Sequence, residues 1–500
     1  MLLVTFLIGI LTAGILWVFY EHHRRNRGLN KFPGPKKHWF VGNAFDVGNS
    51  DETLEKVLNF KHQYGGMVYV RIGPVMASLI LSDAESIGWL LSSTKHIEKS
   101  RIYSFFHRWI GTGLLNSGGE KWKQRRKIIT PTFHFKILED FIHVFNDMSD
   151  VMVKKLRNEI GNDSFDVYPY VTLCALDIIC KTAMGTTVNA QEHSESDYVR
   201  SVKEMSRIIS SRVRSPIKNI DFFYKFTSDY RSELEALKVL HGFTETVIAK
   251  RRDELKKKAN DDTIESRDDL GTKKKFAFLD LLLQAKYADG RSLSDSDIRE
   301  EVDTFMFEGH DTTASAITFI LYCLANNQDV QSKVVAELNE IFSDNPERNA
   351  TYQDLQDMKY LEMVIKESLR LYPSVFSISR ELQEDIIYDG KLIPKLTTLS
   401  IFIYGLNRDP KVFKNPNTFN PDRFLDEQFE SPYAYVPFSA GSRNCVGQKF
   451  AMLEMKSTVA KVVRNFELLP AIPEHKLVLI AEVVLKSATG VRIRLKERKC

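Results

Sequence analysis

Between Leu2 and Tyr20 the chain carries no charged side chain and is almost wholly apolar. A helix of that length rises about 28 Å, close to the hydrocarbon thickness of a bilayer. His22, His23, Arg24, Arg25 and Arg27 come immediately after it. Positive charge at the end of a span keeps the downstream chain on the cytoplasmic side. Because the charges come after the apolar run, and no A-x-A-like site ends it, the pattern argues against a cleaved signal peptide. Phe32-Pro33-Gly34-Pro35 then blocks a helix, since each proline fixes φ. The pattern predicts a transmembrane signal anchor over residues 1–20, a basic and Pro-rich linker over 21–37, and one large domain over 38–500.

Past the linker the period changes. Gly66 to Leu81 holds short β-type runs broken at Gly73-Pro74, which predicts a hairpin. Val491-Arg492-Ile493-Arg494-Leu495-Lys496 alternates apolar and charged residues, which predicts a strand. Most of the chain between these ends has helical periodicity, and Glu301 to about Asn326 reads as one long apolar helix. The fold class is therefore mainly α with small β-sheets. Lys256 to Lys275 is dense in charge and poor in apolar residues, which predicts a solvated surface connection.

Composition narrows the function. The 69 basic and 65 acidic residues leave a net charge of +4, so no global field favours nucleic acid. Cys174, Cys180, Cys323, Cys445 and Cys500 lack zinc or iron–sulfur spacing and suit a reducing, cytosol-facing compartment. Gly111-Thr112-Gly113 lacks the third glycine of a dinucleotide fingerprint, and no Walker-type loop occurs. A redox enzyme built this way draws its electrons from another protein.

The chemistry is concentrated in a few motifs. Phe438-Ser439-Ala440-Gly441-Ser442-Arg443-Asn444-Cys445-Val446-Gly447 combines a soft thiolate, glycines that let backbone approach a flat ligand, and a cation for a haem propionate. Cys445 is thus the candidate iron ligand, with Phe438 and Arg443 beside the haem. In the long helix, Glu308 and Thr312 are four apart and share a face. Gly309 leaves room there for a ligand, and Asp311 with Thr312 forms a candidate proton relay. Trp122 and Arg126 are also four apart and offer an indole N–H and a guanidinium to a propionate; Arg380 is a further candidate. Lys121, Lys123, Arg125 and Lys127, with Lys449, suggest a basic docking surface for an acidic electron donor. Glu367, Arg370 and Arg423 read as a buried structural network. Phe222-Phe223-Tyr224 is an apolar cluster suited to a substrate mouth, a membrane contact or the core.

Taken together, Cys445 and its loop, Glu367-x-x-Arg370, Pro421-Asp422-Arg423-Phe424, Trp122-x-x-x-Arg126 and Glu308 to Thr313 resemble the cytochrome P-450 superfamily in order and spacing. The thirteen residues Glu301 to Thr313 are similar to the signature of its family-4 branch, insect-type members included. The resemblance implies a triangular, helix-rich domain with a long central helix over the haem, making residues 38–500 a single haem-thiolate catalytic domain. It implies haem b (iron protoporphyrin IX), ester-linked in some members through the glutamate that matches Glu308.

The activity implied is hydroxylation of unactivated C–H bonds in fatty acids, terpenoids or foreign compounds, with ω-selectivity in some members. Oxygen comes from O2, and electrons come from NADPH through NADPH–cytochrome reductase, with cytochrome b5 as an additional partner. The catalytic domain would face the cytosol from the endoplasmic reticulum membrane. Substrate would be lined by residues 101–117, 201–226, 305–313, 374–379 and 483–487. Alternatives on the same fold are a peroxide-isomerising enzyme and a non-catalytic haem binder. The sequence departs from the branch at Ser442 (usually proline), Asn407 (usually histidine) and Leu396 (often glycine), the last being a position that suits positive φ.

Overall fold

A computed structural model describes residues 2–39, 41–73, 76–192, 196–261, 277–287, 289–425 and 429–498. Its centre is the helix Asp295–Asn326. Ser294 starts this helix with a capping box: its hydroxyl accepts from the Asp297 N–H at 3.1 Å, and the Asp297 carboxylate accepts from the Ser294 N–H at 3.2 Å. No proline interrupts the turns beyond it. Val302, Met306, Ile317, Ile320, Leu321 and Leu324 lie on several faces and are all buried, as expected of a helix enclosed on every side. Helices Tyr168–Thr182, Lys359–Leu371 and Gln448–Asn465 pack around it.

The sheets are small and peripheral. Met67–Ile72 and Met76–Leu81 form the expected antiparallel hairpin, with Met67 opposite Leu81. Pro74, at its turn, lies outside the described residues. The second strand then pairs in parallel with Thr398–Phe402, which pairs antiparallel with Ser377–Glu381, the strand that carries Arg380. Arg492–Glu497 is the strand foreseen at the C-terminus, and it lies between Phe165–Asp166 and Phe466–Pro470. Leu479–Ala481 and Leu485–Ser487 close a separate hairpin that leans on the central helix.

At the N-terminus the helix Leu2–Leu29 runs unbroken through the apolar stretch and into the basic segment assigned to a linker. Basic residues are good helix formers, and the helix ends only ahead of Pro33. Its C-terminal end is anchored, with Leu29 and Phe32 buried against the four-stranded sheet. Among the described residues no helix is long and apolar enough to cross a membrane, and several side chains of the apolar stretch lie outside those residues. The charged connection predicted over 256–275 begins as helix, because Ser228–Asp261 continues through Lys256 and Lys257; residues 262–276 lie outside the described residues.

Candidate haem-thiolate site

The cysteine loop is built by backbone. The Cys445 N–H donates to the Phe438 carbonyl at 2.9 Å, closing the loop on itself. Gly441 sits at φ +70°, and a Cβ there would stand 2.1 Å from the Leu91 carbonyl oxygen, so only glycine fits. Ser442 is exposed in the short turn Gly441–Arg443. The Cys445 thiol is accessible to solvent although protein surrounds it closely, as at the floor of a cleft. Burial, then the charge of Glu308, pushes the thiol up to about 11, while the Gly447 N–H and Arg126 act the other way. Iron in contact with that sulfur would outweigh the rise and hold it as thiolate.

Trp122 and Arg126 reach this loop rather than standing apart from it. The Arg126 guanidinium donates to the carbonyl and to the side-chain oxygen of Asn444, at 2.8 and 2.7 Å. Trp122 is buried, and the Arg443 guanidinium stacks 4.3 Å from its ring centroid. Arg443 also donates to the Ser117 carbonyl at 2.6 Å, and its Nε is buried without a hydrogen-bond partner.

Three cations converge at the cleft edge. Burial, then Arg380, brings Arg443 down to about 10; burial, then Arg380 and Arg443, takes Lys99 well below the usual lysine value. Lys99 was missed by sequence reasoning. It is bridged in antiparallel register to Arg380, and its ammonium lies 4.3 Å from the Tyr103 ring centroid. Ser100 and Ser379 hydroxyls, 2.6 Å apart, fasten the same two segments. The signal available in sequence was Lys99 and Tyr103 at a four-residue spacing. Crowded, partly desolvated cations are costly unless an anion joins them, and the two propionates of a haem are such anions. A cavity of about 400 Å³ beside them is lined by Lys99, Arg101, Tyr103, His107, Asn116 and Leu396.

On the central helix, Glu308 is half-buried, and burial pushes its carboxyl up to about 7 against the opposing pull of Lys99. The Thr312 hydroxyl donates to the Glu308 carbonyl at 2.7 Å, and the Ser374 hydroxyl donates to the Thr312 carbonyl at 2.9 Å. Asp311 is buried between Tyr168, which the sequence did not single out, and Lys486, which lies in the stretch 483–487 expected to line the substrate.

Two expectations change here. Gly309 does not make room for a ligand: a Cβ on it would stand 2.5 Å from the Ile179 side chain, so the missing side chain serves close helix packing. Arg125 is fully buried, paired with Asp297 and facing Glu301, and Lys121 pairs with Glu300 at 2.9 Å. These two side chains turn inward to the central helix because its acidic first turns attract them. The exposed basic residues that remain of that cluster are Lys123, Lys127 and Lys449.

The structural trio meets. Arg370 makes a bidentate pair with Glu367 at 2.7 and 2.9 Å, and Arg423 donates to Glu367 at 3.0 Å. Arg370 also donates to the carbonyls of Asn407 and Pro416. Asn407, where the branch has histidine, donates its amide to the Arg370 carbonyl at 3.0 Å. In the apolar cluster, Phe222 and Phe223 are exposed while Tyr224 is buried under the Arg212 guanidinium, 3.9 Å from the ring centroid.

A floor cysteine in a closed backbone loop, cations at the rim and an acid–threonine helix across the cleft fit a haem-thiolate oxidoreductase. The Cytochrome P450 family profile matches residues 32–489. Cytochrome P450 4c3 of Drosophila melanogaster is 42% identical, over 98% of this chain and 95% of that protein. Cytochrome P450 4d2 of the same fly is 44% identical, over 97% of each. Cytochrome P450 4V2 of Homo sapiens is 44% identical, over 89% of this chain and 86% of that protein. The chain belongs to the cytochrome P450 family, and it is a family-4-like haem-dependent monooxygenase.

Proposed function

We propose that this enzyme hydroxylates unactivated C–H bonds of lipophilic molecules, fatty acids first, using O2 and electrons from NADPH delivered by NADPH–cytochrome reductase, with cytochrome b5 as an accessory donor. The observation that carries the reading is the closed cysteine loop, its Cys445 N–H donating to the Phe438 carbonyl at 2.9 Å with Arg126 fastened to Asn444 beside it. A bound haem b supplies the oxygen-activating redox chemistry. Cys445 would hold its iron through the thiolate. Lys99, Arg380 and Arg443 would hold its propionates, while Trp122, Arg126 and Phe438 brace the loop that carries Cys445. An ester link from Glu308 to the haem edge, as the family-4 resemblance implies, would restrict substrate approach and favour attack at a chain terminus. Asp311 and Thr312 move the proton: the threonine hydroxyl, one turn from Glu308, donates from the wall of the cleft and is recharged through Asp311. Glu367, Arg370 and Arg423 brace the segment that leads to the cysteine loop.

We place the enzyme on the endoplasmic reticulum membrane, with residues 1–20 as the anchor and the catalytic domain in the cytosol. The apolar, charge-free stretch with basic residues directly after it supports this. Lys123, Lys127 and Lys449 are the exposed cations offered to the reductase.

Cys445→Ala is expected to abolish the thiolate-type absorption of the reduced, carbon-monoxide-bound protein; its persistence would overturn the ligand assignment. The substrate class is tested by incubating the holoenzyme, reductase and NADPH with fatty acids, sesquiterpenoids and insecticides. Mass spectrometry then reads the product and the carbon attacked. Absence of any oxygenated product across the panel would overturn the proposed activity.

A further inference from the structure

Asp311 meets a side chain from outside its own helix at each carboxylate oxygen, one by a hydrogen bond and the other by an ion pair. The Tyr168 hydroxyl donates to one oxygen at 3.0 Å, and the Lys486 ammonium lies 3.1 Å from the other. The aspartate is 1% exposed and the lysine 8%. Lysine is seldom buried so deeply without a partner. This one also lies against the Tyr168 ring, 5.9 Å from its centroid. Three elements meet here: the first turn of helix Tyr168–Thr182, the central helix, and the strand Leu485–Ser487.

Backbone contacts fix the lysine in register with the relay. The Ser315 hydroxyl donates to the Leu485 carbonyl at 2.7 Å, and the Leu485 N–H donates to the Ser374 carbonyl at 2.8 Å. Ser374 in turn donates its hydroxyl to the Thr312 carbonyl at 2.9 Å. The C-terminal hairpin is therefore laced to the turn of helix that carries Asp311 and Thr312.

We propose that Lys486 and Tyr168 are positioning residues for Asp311, holding it as an oriented carboxylate beside Thr312. The proposal rests on the reading of Asp311 and Thr312 as the proton-delivery pair. A lone buried carboxylate would take up a proton and cease to be an acceptor. The titratable groups that the charge of Asp311 reaches are Tyr168, Tyr198 from helix Asp197–Arg214, His310 beside it, and Lys486 and Glu482 from the hairpin. Burial keeps His310 below the usual histidine value, so Lys486 supplies the positive charge. Burial opposes the ammonium, yet Asp311 and Tyr168 outweigh it and hold Lys486 above the usual lysine value. The Asp311 oxygen is reprotonated from solvent before each transfer, and as the Thr312 hydroxyl gives its own proton toward the cleft, its oxygen takes one from Asp311. Asp311 is then ionised again, beside an unchanged ammonium.

The test compares wild type, Lys486→Met, Lys486→Arg, Tyr168→Phe and Asp311→Asn as full-length holoenzymes. The first readout is infrared spectroscopy, independent of turnover. Lys486→Met should gain a protonated-carboxyl band that vanishes in the Lys486→Met, Asp311→Asn double variant, and Lys486→Arg should lack it. The second is the share of NADPH electrons released as hydrogen peroxide, which should rise several-fold in Lys486→Met, less in Tyr168→Phe, and return toward wild type in Lys486→Arg. Lys486→Met with no new band and unchanged coupling would overturn the proposal. If Lys486→Met does not fold, unchanged coupling in Tyr168→Phe would do so instead. Asp311→Asn separates the two readings: unchanged coupling there sinks the relay itself, whereas uncoupling there without effect at Lys486 and Tyr168 sinks only their positioning role.

Discussion

A threonine in the middle of a helix usually satisfies its hydroxyl on the carbonyl one turn back, and Thr312 does so on Glu308. That bond leaves the hydroxyl oxygen free to accept, and for the proposed relay the hydroxyl must turn from the Glu308 carbonyl to donate into the cleft. Thr312→Ala should therefore bind haem normally yet divert electrons, read as NADPH consumption that yields hydrogen peroxide in place of product. Unchanged coupling would count against the relay. Glu308 carries a different prediction. Acid-denatured holoenzyme should retain haem on the protein in mass spectrometry, and Glu308→Ala should release it; complete release from wild type would refute the ester. Leu396 shows how a single residue departs from its branch at a local cost. It holds φ +66° where glycine is often found, a conformation that costs an ordinary residue roughly 1–2 kcal/mol. Leu382 accepts its N–H at 2.8 Å, which fixes it there.

At the scale of elements, the central helix is fastened to the segment before helix Gly119–Ile129 by a carboxyl that titrates. Glu301 is fully buried and accepts the Leu114 N–H at 2.9 Å, with Arg125 3.7 Å away. Burial nonetheless pushes it up to about 7, against the opposing pull of the Leu114 N–H, Arg125 and Lys121. A folded-state value above the unfolded one means that the native protein binds more protons between the two. Stability from this group is full below the unfolded value and falls as pH rises toward about 7. Unfolding measured from about pH 5 to about pH 8 should lose on the order of 2–3 kcal/mol through this residue. Glu301→Gln should flatten that slope, and an identical slope in the variant would show that the carboxyl is not responsible. The Glu367, Arg370 and Arg423 network is the second fastening, and stranding one member of such a network costs about 3–5 kcal/mol.

At the scale of the whole molecule, one exposed apolar end bears on the proposed membrane attachment. Phe222, Phe223 and Phe226 are 67%, 49% and 75% exposed, and Ile217 is 61% exposed, so this end of the molecule offers apolar side chains to its surroundings. If residues 1–20 anchor the enzyme, deleting them should move it from the membrane pellet toward the soluble fraction in a flotation assay. The exposed phenylalanines should leave residual binding to vesicles, weakened by Phe222→Ser with Phe223→Ser. Full membrane retention by the truncated chain at high salt, unaffected by the double substitution, would show that neither apolar surface is the main attachment.

Local sequence determined much of this protein. Apolar period marked the central helix, β-type runs broken at Gly73-Pro74 marked the hairpin, alternation marked the last strand, and a cysteine among fixed neighbours marked a haem-thiolate enzyme of the cytochrome P450 family. Each is a short-range property, written within a few turns of chain. What tertiary structure decided is which distant residues share a space. Gly309 meets Ile179 instead of a ligand, Arg125 turns into the core instead of toward a partner, and Lys99 joins Arg380 at the cleft edge. Asp311 receives a tyrosine 143 residues away and a lysine from the last hairpin. No spacing rule links such residues. Their meeting is set by how whole elements pack, and burial there gives each charge a need for a partner that the sequence alone does not name.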